Sequence, residues 1–187
     1  MLRVHPVVEF AGKRVMSDAT AKIASKHTTS GAPSVTFEAL PEFKHYTIAL
    51  VDPDAPDAAS RTLQHRFHWV VSNIPAGETG RADAKNGHVV VPYEQIHPEK
   101  GSLAHRVVLA VYGQHDQVDL AAPAAGALLQ PLAASANLEL VGLVMREFEW
   151  DESVSMFYDD DEPLFGSAQR PVNTREKFKY VARPSSV

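Results

Sequence analysis

Residues 46–57 read YTIALVDPDAPD, a mostly apolar run followed at once by three carboxylates and two prolines. The first half has the composition of a buried strand. Acids placed directly after such a strand must stay hydrated, be paired with a cation, or accept hydrogen bonds. Pro53 and Pro56 cannot donate to a strand ladder, so we expect them to end the strand and stiffen the loop after it. This stretch therefore predicts a core strand that delivers acids to a preorganised loop.

Similar runs recur along the chain and indicate a mainly β protein. Seven strand candidates separated by turn-forming residues favour an antiparallel sandwich of two sheets. The candidates are HPVVEF, SVTFEA, YTIALVD, RFHWVVSNI, HVVVPY, HRVVLAVYGQ and LELVGLVMREFEW. The alanine-rich stretch at residues 120–136 predicts a packed helix with irregular ends, interrupted at Pro123 and Pro131. A second short helix is expected to begin at Asp151.

The composition limits the domain organisation and the kinds of chemistry. A chain of 187 residues with 44% hydrophobic content suits one domain, which we place at residues 1–162, followed by an extended basic tail at 163–187. The chain has no cysteine, which excludes disulfides, thiolate nucleophiles and iron–sulfur clusters. Its apolar runs are too short to cross a bilayer. A net charge of −5 argues against a free-standing nucleic-acid binder.

Two aspartates and two histidines are the candidates for a binding site. Asp52 and Asp54 lie two residues apart, so they share a face if the strand continues through Pro53. His68 and His105 each belong to another predicted strand. One interpretation is that the four converge into a polar pocket for an anion or a polar head group. The other is that each is an independent, hydrogen-bonded residue at a sheet edge.

Enzyme motifs are missing from the sequence. We find no G-x-S-x-G, no G-x-x-x-x-G-K-[ST], no G-x-G-x-x-G and no H-E-x-x-H. His65 and His68 are three residues apart, which on a strand puts them on opposite faces and makes them a poor metal pair. We therefore expect no catalytic activity, no cofactor and no metal.

The ordered set DPDAP, FHWVVSNIP, EKGSLAHR with VYGQ, and EWDESV resembles the phosphatidylethanolamine-binding protein family over about residues 4–158. The resemblance implies two antiparallel sheets with a small anion-binding cavity at one end. Physical chemistry agrees with such a site, since we expect histidines near acids to gain protonated character and, together with backbone N–H groups of the loop, to hold a phosphate-type anion. The ligand-binding residues carried over from the family's motifs are Asp52, Asp54, Pro56, His68, Tyr93, Gly101 and His105.

The loop before the H-R strand departs from the family pattern. Many ligand-binding members carry G-x-G-P-P there, whereas this chain has QIHPE at residues 95–99. Glycine permits positive φ and a close approach of the backbone to an anion. His97 lacks that freedom, and Glu99 adds a negative charge, so the loop itself weighs against anion binding.

The stretches PYEQIHPEKGSLAHR and EFEWDESVSMFYDDDEPLFGSAQRP are similar to the branch of this family found in the mitochondrial large ribosomal subunit. That branch implies a non-catalytic structural subunit in the mitochondrial matrix. Its tail would contact ribosomal proteins and could also reach rRNA. The aromatic tail residues could instead pack on the sandwich. The partner-binding residues expected on this basis are Phe165, Arg170, Arg175, Lys177, Phe178, Lys179 and Tyr180.

The alternative is a free, cytoplasmic member of the family. Such a protein binds phospholipid head groups or other phosphate-type anions and acts as a kinase or protease regulator. This alternative rests on the presence of Asp52, Asp54, His68 and His105.

Overall fold

The computed structural model describes residues 2–16, 23–24, 28–57, 62–99 and 102–150. Within these residues the chain forms ten strands, a 3-10 turn at Ala84–Asn86 and a helix, α1, at Leu129–Ser135. The strands are β1 Val7–Phe10, β2 Lys13–Met16, β3 Ile23–Ala24, β4 Ser34–Glu38, β5 His45–Asp57, β6 Thr62–Pro75, β7 Arg81–Asp83, β8 His88–Val91, β9 His105–Gln114 and β10 Glu139–Glu149.

The strands form two sheets, which confirms the predicted sandwich. The smaller sheet has the order β2-β1-β4-β7 and the larger one has the order β3-β10-β9-β5-β6-β8. The neighbours pair antiparallel, except β3, which pairs parallel with β10. Both sheets contribute to the main core, the smaller through Phe10 and Phe37 and the larger through Ile48 and Leu109. The long strand β5 lies between β9 and β6, at the centre of the larger sheet.

The expectation that Pro53 and Pro56 end the central strand was wrong. β5 continues through both prolines to Asp57. Its register with β6 shifts between Asp52 and Ala55, so the residues between them face no direct partner on β6. This bulge accommodates Pro53, because no ladder hydrogen bond is required of its nitrogen, whereas Pro56 lies beyond the bulge, opposite Leu63.

Other differences concern short elements. The sequence patterns missed β2, β3 and β7, which have four, two and three residues and little periodicity of their own. The helix predicted for residues 120–136 is limited to α1, and Pro123 lies before it. Pro131 is its third residue, within the first turn, where a backbone N–H has no intrahelical partner. The helix expected from Asp151 and the tail at 163–187 lie outside the described residues.

The outer face of the larger sheet carries α1 and the segment that precedes it. Ala110 and Tyr112 of β9 form a small cluster there with Ala133 of α1. A neighbouring cluster joins Ala49, Val51 and Val70 to Leu120. In the part of the chain that the structure describes, no helix is both long and apolar enough to span a membrane.

Candidate anion-binding site

Three adjacent strands bring Asp52, His68 and His105 to one end of the larger sheet. Asp52 lies in the second half of β5, His105 begins β9, and His68 lies on β6. All three are buried, with exposed fractions of 4%, 2% and 5%. We call these three residues the polar cluster. The sequence hypothesis placed Asp54 in the same pocket as these three; the structure brings the three to one end of the sheet, and a role of any of the four in binding stays a prediction.

Asp52 is fully engaged by the protein. Its Oδ2 atom accepts a hydrogen bond from Nδ1–H of His105 at 2.6 Å. Its Oδ1 atom accepts one from the backbone N–H of Asp54 at 2.8 Å. A carboxylate buried at the end of a core strand is therefore tolerated because both of its oxygens have donors. Asp52 fixes the orientation of the His105 ring.

Asp54 turns to a different partner. Its Oδ2 atom accepts hydrogen bonds from the backbone N–H of Arg106 at 2.9 Å and from Nε–H at 2.8 Å. Its Oδ1 atom accepts a third from the guanidinium at 2.7 Å. These Arg106 hydrogen bonds lower the pKa of the Asp54 carboxyl below its ordinary value. Asp54 is thus held by β9 and acts as a positioning residue rather than as an open ligand contact.

His68 is tied to the loop after β8. Its Nδ1–H donates to the backbone carbonyl oxygen of Glu94 at 3.0 Å, and the Glu94 N–H donates to the His68 carbonyl oxygen at 2.7 Å. Burial lowers the pKa of His68, and the neighbouring charge of Asp52 only partly offsets it. The expectation that acids would give this histidine protonated character was therefore wrong, because burial outweighs them.

The second ring nitrogen of His68 is the unusual feature of the cluster. The contact to the Glu94 carbonyl requires the proton on Nδ1, so in the neutral ring Nε2 is an acceptor. Nε2 of His68 is buried and has no hydrogen-bond partner among the described residues. A buried polar atom left in this state is uncommon and indicates a place for a ligand or a water.

The loop after β8 is anchored by side chains. The Tyr93 hydroxyl donates to the carbonyl oxygen of Thr29 at 2.6 Å, and the Thr29 hydroxyl donates to the carbonyl oxygen of Ile96 at 2.9 Å. Burial raises the pKa of Tyr93 to about 12. Ile96 is fully buried, and the His97 ring lies edge-on to Trp150 with centroids 5.2 Å apart. Packing thus fills the loop at Ile96 and His97.

The remaining predicted residues do not join the polar cluster in the same way. Pro56 lines a separate cavity with Arg66 and Glu94. Gly101 lies outside the described residues, as do all seven predicted partner-binding residues. Sequence reasoning missed Glu94 and Thr29, since a backbone carbonyl that orients a histidine leaves no mark in the sequence. Arg106 could have been found, because it directly follows His105 in the H-R motif.

The described residues also bear on metal binding. Within the ranges that the structure covers, no group of three or more histidine, aspartate or glutamate side chains is arranged to hold a metal ion. The oxygens of Asp52 and Asp54 already accept hydrogen bonds from nitrogen donors. The arrangement can instead offer imidazole nitrogens to a small polar ligand.

The described residues thus form a two-sheet β protein with a buried aspartate–histidine cluster at one end of its larger sheet. The chain belongs to the phosphatidylethanolamine-binding protein family, whose family model matches residues 9–148.

Relatives and solved structures agree with this assignment. The chain is 35% identical over 95 residues to a 26 kDa secreted antigen of Toxocara canis, covering 51% of this chain and 32% of the relative. It is 39% identical over 69 residues to the rice protein MOTHER of FT and TFL1 homolog 2, covering 37% of this chain and 36% of the relative. The matches therefore span about a third of the length of these curated relatives.

The fold is similar to that of a phosphatidylethanolamine-binding protein from Plasmodium falciparum. The TM-score is 0.61 at 24% identity, over 79% of this chain and 86% of the other. A carboxypeptidase Y inhibitor in complex with its cognate proteinase gives a TM-score of 0.61 at 19% identity, over 80% and 85% of the two chains. At these identities the likeness establishes the fold.

Proposed function

We propose that this chain is a binding protein for phosphate-type anions, with phospholipid head groups as the natural source, and that it does not turn its ligand over. The observation that carries the proposal is Nε2 of His68, which is buried without a hydrogen-bond partner among the described residues. A ligand that supplies this partner removes the cost of the unpaired nitrogen. The membership of the chain in a family named for phosphatidylethanolamine binding supports the same ligand class.

The two histidines and the aspartate have different tasks in this proposal. Asp52 holds His105 through Nδ1, and the Glu94 carbonyl holds His68 through Nδ1. A ligand therefore meets both rings through their Nε2 atoms. Since both rings are fixed before binding, little side-chain entropy is lost when the anion enters.

The protonation state of His68 sets the pH dependence of binding. Burial keeps its pKa below the ordinary value, so the ring is neutral near pH 7 and its Nε2 accepts rather than donates. An anion requires a donor there, so binding draws a proton onto the ring. The affinity for an anion of fixed charge therefore rises as the pH falls.

The absence of turnover is proposed from the contacts of the same histidines. Nδ1 of His105 donates to a carboxylate and Nδ1 of His68 donates to a carbonyl oxygen. Among the described residues, neither ring is hydrogen-bonded to a serine or threonine hydroxyl that it could activate as a nucleophile. We therefore expect the cluster to hold its ligand without turning it over.

Calorimetric titration with phosphoethanolamine and with inorganic phosphate tests the proposal. We expect saturable heat for the wild-type chain and at least about tenfold weaker binding for His68→Gln, since a charge-assisted hydrogen bond is lost. His88→Gln, at an exposed histidine of β8, is the matched control and should leave the affinity unchanged. Circular dichroism and the melting temperature show that each variant is folded. A folded wild-type chain that gives no heat with either ligand would refute the proposal.

A second candidate is a structural subunit of the mitochondrial large ribosomal subunit. It is favoured by the filled loop, in which Ile96 is buried and His97 packs on Trp150, because a cavity that binds no ligand can be closed by side chains. The two candidates imply different compartments, the mitochondrial matrix for the subunit and the cytoplasm for the free binding protein. Sucrose-gradient fractionation of a lysate separates them, since a subunit migrates with large ribosomal particles and a free protein of 20.4 kDa stays near the top.

A further inference from the structure

Two cavities lie on the outer side of the larger sheet, and no residue of the polar cluster lines either of them. The first has a volume of about 380 Å³ and lies between residues 64–67 of β6 and residues 123–126 of the segment before α1. The second has a volume of about 270 Å³ and lies between the start of α1 and β10. The imidazole of His65 lines both. Because they share His65 as a wall, we refer to the two cavities together as the outer groove.

The first cavity is the charged end of the outer groove. Arg66 and Glu94 line it and form an ion pair, with Nε of Arg66 3.3 Å from Oε2 of Glu94 and a second, shorter contact through the other carboxylate oxygen. Their side chains are 50% and 54% exposed. Arg66 therefore already presents a two-point fork to a carboxylate. Because an ion pair this exposed contributes little stability, a second carboxylate can replace that of Glu94.

The second cavity is the apolar end of the outer groove. Its walls are mainly leucine side chains, from Leu128, Leu129, Leu140 and Leu143, together with Tyr112 and Gln130. Three of these leucines are unusually exposed for their type, Leu128 by 55%, Leu140 by 44% and Leu143 by 41%. Clustered exposed leucines lining a cavity are typical of a site for an apolar ligand.

His65 connects the two ends. Its Nδ1 atom is buried, and no hydrogen-bond partner for it exists among the described residues. It thus offers a polar atom at the boundary between the charged end and the leucines. A ligand polar at one end and aliphatic at the other can contact this atom and still bury its chain.

We propose that the outer groove binds a free long-chain fatty acid. The carboxylate takes the place of the Glu94 carboxylate on Arg66 and lies beside His65, and the aliphatic chain extends over Leu140 and Leu143. One groove of this size accommodates one chain, so a single-chain ligand fits better than a two-chain phospholipid. The fork geometry at Arg66 suits a carboxylate, as its two contacts with Glu94 show. None of Asp52, His68 and His105 lines either cavity, so the groove has its own lining, which meets the polar cluster only at Glu94, whose carbonyl oxygen accepts from His68.

Fluorescence-monitored titration of the full chain with myristate, kept below its micelle-forming concentration, tests this inference. We expect saturable, one-to-one binding that octanoate shows only weakly, because each additional buried methylene strengthens binding. Leu143→Gln should weaken myristate binding about fivefold or more. Leu103→Gln, at a leucine 67% exposed that lines neither cavity, is the matched control and should bind myristate as the wild-type chain does.

Two further measurements identify the site and the head group. Arg66→Gln should weaken myristate but leave the weaker binding of tetradecanol unchanged, because only the carboxylate uses the guanidinium. Inorganic phosphate, the probe for the polar cluster, should not compete with myristate. Unsaturable binding, equal binding by Leu143→Gln and Leu103→Gln, or competition by phosphate would each overturn the fatty-acid site. A chain that fails to bind phosphate but binds myristate would refute the proposed function alone.

Discussion

Replacing Asp52 with alanine is expected to destabilise the fold strongly. The change leaves the His105 Nδ1–H and the Asp54 N–H without their acceptor in a site where Asp52 is 4% exposed. Removing one partner of a buried pair costs about 3–5 kcal/mol. In a chain of this length 1 kcal/mol shifts the melting temperature by about 2–4 °C, so the expected fall is about 6–20 °C. Differential scanning calorimetry at pH 7 measures it.

The control for this prediction is Asp116→Ala. Asp116 pairs with Lys44, but the two side chains are 82% and 72% exposed, and such a pair contributes about 0–1 kcal/mol. The double variant Asp52→Ala/His105→Ala should lose less stability than the two single variants added together, because only the Asp54 N–H is then left without its acceptor and no imidazole N–H is left unpaired. Equal melting temperatures for Asp52→Ala and Asp116→Ala would show that the buried pair does not stabilise the cluster.

Three further predictions address the core, the cluster and its neighbouring acid. Gly113→Ala should lower the free energy of unfolding, measured in urea, by about 1–3 kcal/mol, because the added Cβ would lie 2.6 Å from the Phe43 ring. Gly31→Ala is the control and should leave stability nearly unchanged, since nothing lies within 4 Å of its added Cβ. Sulfate, whose charge is constant between about pH 5 and 8, should bind more tightly as the pH falls, because His68 must take up a proton; a flat profile would contradict this. Asp54→Asn should lower the free energy of unfolding at neutral pH. The difference from the wild type should disappear as the pH falls below the ordinary Asp pKa of 3.8, because the wild-type carboxyl, whose pKa is lowered in the folded state, then becomes protonated. A difference that stays constant with pH would rule out the charge of Asp54 as its cause.

The two-sheet architecture could be predicted from the sequence because the long strands have the alternation and β-branched residues that are typical of strands. The alternation and β-branched content of β9 and β10 predicted strands whose observed bounds differ by a residue or two at most. The short strands β2 and β7 were not predicted, because they form by pairing with β1 and β4 and their own residues show no strand pattern. The extension of β5 through two prolines also escaped it, since a register shift depends on the neighbouring strand.

The candidate site was predicted in part. The expectation that Asp52, His68 and His105 lie close together rested on family motifs assigned to three strands, β5, β6 and β9, which are neighbours in the larger sheet. Which of them would be charged did not follow, because the pKa of His68 depends on its burial. Nor did the sequence show that the carboxylates of Asp52 and Asp54 are each satisfied by protein donors. These features depend on three-dimensional packing rather than on residue type.

The most direct test of the proposed function is nitrogen NMR of the histidine side chains during a titration with phosphoethanolamine. The account predicts that Nε2 of free His68 resonates as an unprotonated acceptor, and that it shifts, saturably, toward a protonated donor as the ligand binds. If the His68 signals stay unchanged while the ligand binds elsewhere, or if no histidine signal moves at saturating ligand, the polar cluster is not an anion-binding site.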